Sequence, residues 1–115
     1  MNKKELMFRR METAKKYKIP NTPNYTKRKP NTFTFGSGGK IHETLKWEVC
    51  WKIREEGGHF ITEAQEKATG LIRDVVCLDD GMIFEIETDP KRAVRFKDQK
   101  GVVVIKAWGE IKDGL

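Results

Sequence analysis

The chain has 115 residues, 35% of them charged and 37% hydrophobic, which describes one small, very polar domain with a single modest core. No apolar run approaches membrane-spanning length, and the basic N-terminus lacks the apolar stretch of a signal peptide. A cytoplasmic protein with no membrane partner is therefore expected.

The net charge of +6 divides unevenly: residues 1–40 hold 11 Lys/Arg against Glu5 and Glu12, and residues 41–115 hold 12 against 15 acids. The first part carries +9 and the second −3. A basic arm beside an acidic core is a footprint of polyanion binding, and also of a disordered solubilising tail. Two regions are expected: a basic helix and extended arm over 1–40, and an α/β domain over 41–115.

In chain order, residues 2–17 can form a short basic helix with Leu6, Met7, Met11 and Ala14 as a thin apolar stripe. Prolines 20, 23 and 30 and the glycines between 36 and 39 then mark an extended arm. GSGGK lacks the P-loop pattern. Tyr25, Phe33 and Phe35, interleaved with Lys27, Arg28 and Lys29, suit stacking on bases and contact with phosphates, or packing of the arm on the domain or a second subunit.

A helix follows over 41–56, with Leu45, Val49 and Ile53 on one ridge and Trp47 and Trp51 on a second, stopped by Gly57-Gly58. So wide an apolar face predicts packing against a sheet, with Glu43 and Lys46 as a polar edge near its start. A strand is expected at 59–65, where Glu63 and Gln65 read as an exposed edge that could extend an acidic cluster. A hairpin follows, with strands 70–78 and 82–88. Asp89-Pro90 is a helix start, Asp as N-cap and Pro in the first turn, opening a short basic helix ended by Gly101. VVVIKA at 102–107 reads as a strand buried on both faces in a parallel pairing. Trp108 beyond it reads as core cover or a dimer contact. Cys50 and Cys77 lack metal-ligand spacing and are most simply buried thiols.

The hairpin carries three acids. Asp-Gly between β-branched runs is a strong turn signal. A two-residue turn at Asp80-Gly81 pairs Asp74 with Glu87, leaves Glu85 diagonal, and turns all three to one face. A three-residue loop would put Asp74 on the other face. Three carboxylates within otherwise apolar strands call for a hard cation such as Mg²⁺, although acids beside a turn are also an ordinary solvated face. Arg73 points away from Asp74 in a regular strand.

The order α-β-β-β-α-β, with Asp at the start of the second strand and Glu-x-Glu on the third, resembles the PD-(D/E)XK nuclease superfamily, which includes restriction endonucleases and small archaeal Holliday-junction resolvases. The resemblance covers about residues 41–107. It implies a restriction-endonuclease-like core with a mixed central sheet flanked by helices, and an endodeoxyribonuclease of DNA repair or recombination. It maps the superfamily's helix glutamate, aspartate and motif acid to Glu43, Asp74 and Glu85, which would hold Mg²⁺ or Mn²⁺. The motif lysine is replaced by Glu87, a further metal ligand or base, or the mark of a lost active site. Lys46, Lys97 or Lys100 could supply the missing cation. Lys27, Arg28, Lys29, Lys46, Lys91, Arg92, Arg95 and Lys97 are the candidate DNA contacts. The resemblance also implies a homodimer, since one site cuts one strand, with junction DNA among the possible substrates. The other functions open to the chain are a silent nuclease-fold module that binds DNA or RNA, and an assembly protein whose arm exchanges between subunits.

Overall fold

A computed structural model describes residues 1–96 and 99–106. The elements are α1 (Lys3–Ala14), β1 (Tyr17–Lys18), α2 (Lys40–Glu55), β2 (Phe60–Glu66), β3 (Ile72–Cys77), β4 (Ile83–Glu87), α3 (Pro90–Ala93), a 3₁₀ turn at Val94–Phe96, and β5 (Val102–Lys106). The architecture is α/β. One five-stranded mixed sheet runs in the order β1-β2-β3-β4-β5, with β4–β5 parallel and every other pairing antiparallel. None of the helices in the described residues is long and apolar enough to cross a membrane.

The sheet has an apolar cluster on each face. Cys50 and Ile53 of α2 pack on Phe60, Val75, Cys77 and Ile86. On the other face Tyr17, Ile61, Ala64, Val76, Leu78 and Ile83 pack together, with Ala14 of α1 against them. The alternation Val75/Val76 and Ile83/Ile86 between clusters is the period of two that strands impose. Cys50 and Cys77 are both free and buried, and burial pushes the Cys50 thiol up to about 12.

Several expectations are corrected here. The arm is not separate: Tyr17–Lys18 joins the sheet beside β2, Phe33 packs on the α2 cluster, and Asn31 bonds reciprocally with Phe60, N–H to carbonyl and amide oxygen to N–H. β2 is consequently an interior strand. Among the described residues the edges are β1 and β5, and Val102–Ile105 are only half-buried instead of covered on both faces. Trp47 and Trp51 do not form a second packing ridge and are 48% and 56% exposed. The buried stripe of α2 is instead Glu43, Lys46, Cys50 and Ile53, one face of a 3.6-residue period with charged residues at its N-terminal end. Asp89 does cap α3, its carboxylate accepting from the Lys91 N–H. That α-helix is only one turn long before the 3₁₀ turn. Lys97 and Trp108 lie outside the described residues.

Candidate functional site

The hairpin register differs from the expected one. Val75 faces Phe84 and Val76 faces Ile83, so the loop is Leu78–Gly81 and the same register sets Asp74 against Glu85, with Glu87 diagonal. The cause lies in Asp79. Its carboxylate is held by Arg10 at 2.9 Å through both oxygens, and it also accepts from the His59 N–H. That pulls Asp79 out of the strand, and Gly81 closes the loop at φ +79°, a conformation glycine adopts without strain.

Beyond Val75 and Phe84 the ladder between β3 and β4 stops. Side chains replace it: Glu85 Oε1 accepts from the Asp74 N–H at 3.0 Å, and Asp74 Oδ2 accepts from the Ile86 N–H at 2.8 Å. The two acids thus hold each other's strand where the sheet parts.

The expectation that Asp74, Glu85 and Glu87 share a face is not met. In β4, Phe84 and Ile86 pack under α2 while Ile83 belongs to the opposite cluster, which puts Glu85 and Glu87 on Ile83's side. Asp74 turns to α2, where its Oδ2 lies 3.3 Å from His42 Nε2. Its neighbour across β2, Glu63, has φ +47°, a sterically disfavoured backbone for a residue with a side chain. The regular alternation of both strands is broken at this pair. Arg28 donates from Nε and a terminal nitrogen to the Glu63 carbonyl, at 3.1 and 2.9 Å. Arg28, expected to meet phosphates, instead stabilises this turned peptide.

From Asp74 a chain of charges runs under α2. His42 Nδ1 is 2.7 Å from Glu43 Oε2. Lys46 Nζ donates to Glu43 Oε1 at 2.9 Å, to Glu63 Oε2 at 3.2 Å and to the Thr34 carbonyl at 2.7 Å. Lys46 is 0% exposed, so it meets its partners within the fold and not a nucleic-acid phosphate. The Gly36 N–H donates to Glu43 Oε1 at 2.6 Å. A Cβ on Gly36 would stand 2.5 Å from Glu63 Oε1, so a larger residue here would displace the Glu63 carboxylate from its place beside Lys46.

The electrostatics follow. Hydrogen bonding to Asp74 raises His42 to about 9 against the opposing effect of burial, with Glu43 adding to the rise. An imidazolium donating to both carboxylates is therefore the form at neutral pH. Burial alone would raise Glu43, but the Gly36 N–H, Lys46 and His42 together hold it below the usual range. Glu63 is raised by burial, against Lys46. Glu85, 5% exposed, is pushed up to about 7, first by burial and then by the charge of Asp74.

Glu87 takes no part. Its Oε1 accepts from the Asp89 N–H at 3.1 Å, and Oε2 lies 3.7 Å from Arg95. The expected trio does not gather, and among the described residues no three His, Cys, Asp or Glu side chains could together hold a metal ion. Asp74 and Glu85 are the two acids that come nearest one another, each placing an oxygen in the gap between β3 and β4 from opposite faces of the sheet. Both offer carboxylate oxygen, and Glu85 is under-compensated, as its raised value records. Mg²⁺ is commonly held by one or two carboxylates, with substrate phosphate and water completing the shell.

Sequence reasoning missed His42 as a site residue and undervalued Glu63. The phase of α2 was the available signal: Glu43 and Lys46 fall in step with Cys50 and Ile53. Of the basic candidates, Lys27, Lys29, Lys91, Arg92 and Arg95 are exposed, and Arg95 also stacks on Phe96 at 4.6 Å. Arg73 is buried and paired with Glu66 at 2.9 Å. Comparison of the chain with family models, curated proteins and solved structures found no match.

Proposed function

We propose that the chain is a metal-dependent endonuclease that hydrolyses DNA phosphodiester bonds, built on a restriction-endonuclease-like core. The observation that carries this reading is the meeting of Asp74 and Glu85 where β3 and β4 part, next to the first turn of α2 with its Glu43. The element order from α2 to β5, three strands paired antiparallel and then one parallel, supports the same core.

Asp74 and Glu85 would hold Mg²⁺ or Mn²⁺, which when bound polarises the phosphodiester and acidifies a water. The chain's own residues do the rest. Lys46 fixes Glu43 and Glu63 under the sheet gap through a hydrogen bond to each. His42 bridges Glu43 to Asp74 and sets the direction in which the Asp74 carboxylate presents itself. Exposed Lys27, Lys29, Arg92 and Arg95 supply positive charge for a phosphate backbone. Action as a homodimer on duplex or junction DNA, in repair or recombination inside the cell, belongs to the same proposal.

One observation favours a second reading, a silent nuclease-fold module that binds DNA or RNA. Glu87, at the position of the superfamily's lysine, accepts from the Asp89 N–H and is paired with Arg95, so this position supplies a neutralised carboxylate in place of the lysine.

Cleavage of labelled duplex, single-stranded and four-way-junction DNA in Mg²⁺ or Mn²⁺ separates the two. Metal-dependent cutting that EDTA stops and Asp74→Ala reduces to background is the expected result. Undiminished cutting by Asp74→Ala overturns the assignment, and salt-sensitive binding without cutting selects the silent module.

A further inference from the structure

Beside the acidic site lies an aromatic surface that the proposed chemistry does not use. Phe33 and Phe35 meet edge to face at 5.1 Å, Phe33 and Trp47 at 5.7 Å, and Trp51 continues the row at 6.1 Å from Trp47. Phe35 is 78% exposed and Trp47 is nearly half exposed. An open cleft is lined by Phe33, Phe35, Lys40, Glu43, Thr44 and Trp47. The cleft shares Glu43 with the site, and the ring of Phe33 lies 4.8 Å from the Lys46 ammonium. The aromatic row therefore begins at the buried charge network and runs outward along α2.

We propose that this cleft receives unpaired bases of a nucleic-acid strand, stacked on Trp47 and Phe35, so that the enzyme acts on single-stranded or locally opened DNA. The inference rests on the nuclease reading and narrows its substrate. Three features favour a base over an apolar protein segment. Edge-to-face rings leave flat faces open, and any base can stack on such a face. The walls are mainly ring surface, with exposed Lys40 and Thr44 beside it as polar groups that a purely apolar occupant would not engage. An edge of a base, or the phosphate following it, satisfies both. Positive charge is also near: Lys40 lines the cleft, and exposed Lys27 and Lys29 flank Arg28, which is bound to the carbonyl of Glu63, the residue whose side chain adjoins Gly36.

The test is binding by the full chain in EDTA, where metal-dependent cleavage is absent. The probes are a fluorescein-labelled oligo-dT strand and a blunt duplex of equal length, followed by anisotropy and by tryptophan emission. Bound oligo-dT is expected to quench tryptophan emission. Trp47→Ala and Phe35→Ala should each weaken oligo-dT binding by about tenfold, in line with the loss of one stacked base, while duplex binding changes by less than about twofold. Trp47→Phe should recover most of the affinity. Both alanine variants remove exposed rings, and unchanged thermal midpoints verify the fold.

Oligo-dT affinity that ignores both variants overturns the proposal. So does a monomer produced by Trp47→Ala from a dimeric parent without loss of binding, which would make the face a contact between two copies. The nuclease reading fails separately. Stacking with no metal-dependent cutting leaves the cleft assignment standing and removes the catalysis. Asp74-dependent cutting with affinity indifferent to Trp47 does the reverse.

Discussion

Glu85 is the residue at which burial and charge pull hardest against ionisation. Its carboxyl is raised to about 7 by burial and by Asp74, so the folded state favours the protonated form. That contribution to stability is complete below the ordinary carboxylate range and is lost as pH rises through about 7. Glu85→Gln keeps an oxygen for the Asp74 N–H and removes the charge. In EDTA its urea midpoint should match the parent near pH 4. At pH 8 it should exceed the parent by an amount equivalent to about 3 kcal/mol. An equal gap at both values would show that charge is not the cause.

The legibility of the site divides along the same physical line. Asp74, Glu85 and Glu43 could be singled out from the chain because acids interrupt apolar strands or sit at a helix start, and the structure links all three. Glu87 could be singled out too, but its engagement by Asp89 and Arg95 depends on the turn after β4, which strand periodicity does not encode. Glu63 joins the network at a left-handed peptide inside β2, and His42 joins it through an Asp74 that leaves the regular alternation of β3. A period-two reading assumes that no such peptide exists.

At the level of elements, α1 is attached by one ion pair more than by its own apolar stripe. Met7, Phe8 and Met11 are exposed, while Arg10 donates to both oxygens of Asp79 and to the Gly57 carbonyl. Paired guanidinium and carboxylate groups of this bidentate kind are the stronger class. Arg10→Ala should lower stability by about 1–3 kcal/mol, because it also leaves Asp79 without its main partner. Hydrogen exchange should locate the change in α1 and the Leu78–Gly81 loop. Uniformly faster exchange across the sheet would refute this local role. The same pair explains why the hairpin register departs from the expected one: Asp79 and Asp80 look alike beside Gly81 in the sequence, and only the residue facing Arg10 is drawn out of the strand. The elements themselves were readable. α2 and β2 to β5 fall within a few residues of their expected bounds, since apolar period, Gly57-Gly58 and Asp89-Pro90 are local signals. The joining of β1 to β2 was not readable, because a two-residue strand carries almost no periodicity.

For the whole molecule, charge is the property that acts at a distance. Lys27 and Lys29 are exposed, whereas Arg28 between them is held by the Glu63 carbonyl. If the first two meet phosphates, the double variant Lys27→Ala/Lys29→Ala should weaken duplex binding in EDTA and reduce the slope of log K against log salt by about two. A slope equal to the parent's would place the contacts elsewhere. Arg28→Ala should act differently, through the turned peptide of β2 and hence through the site.

The pairing of Tyr17 with Glu66 and the grip of Arg10 on Asp79 also bear on how the chain comes into being. During synthesis α1 is made before both of its anchors, which arrive only after β2 and the β3–β4 loop have left the ribosome. It must wait for these later elements to form its seat, while β2, β3 and β4 can close on one another as neighbours in the chain. Met7, Phe8 and Met11 stay exposed even after α1 is seated. Tyr17 is different: it is buried only once β2 stands beside it, and until then it is the kind of transiently exposed apolar surface that chaperones shield in a nascent protein.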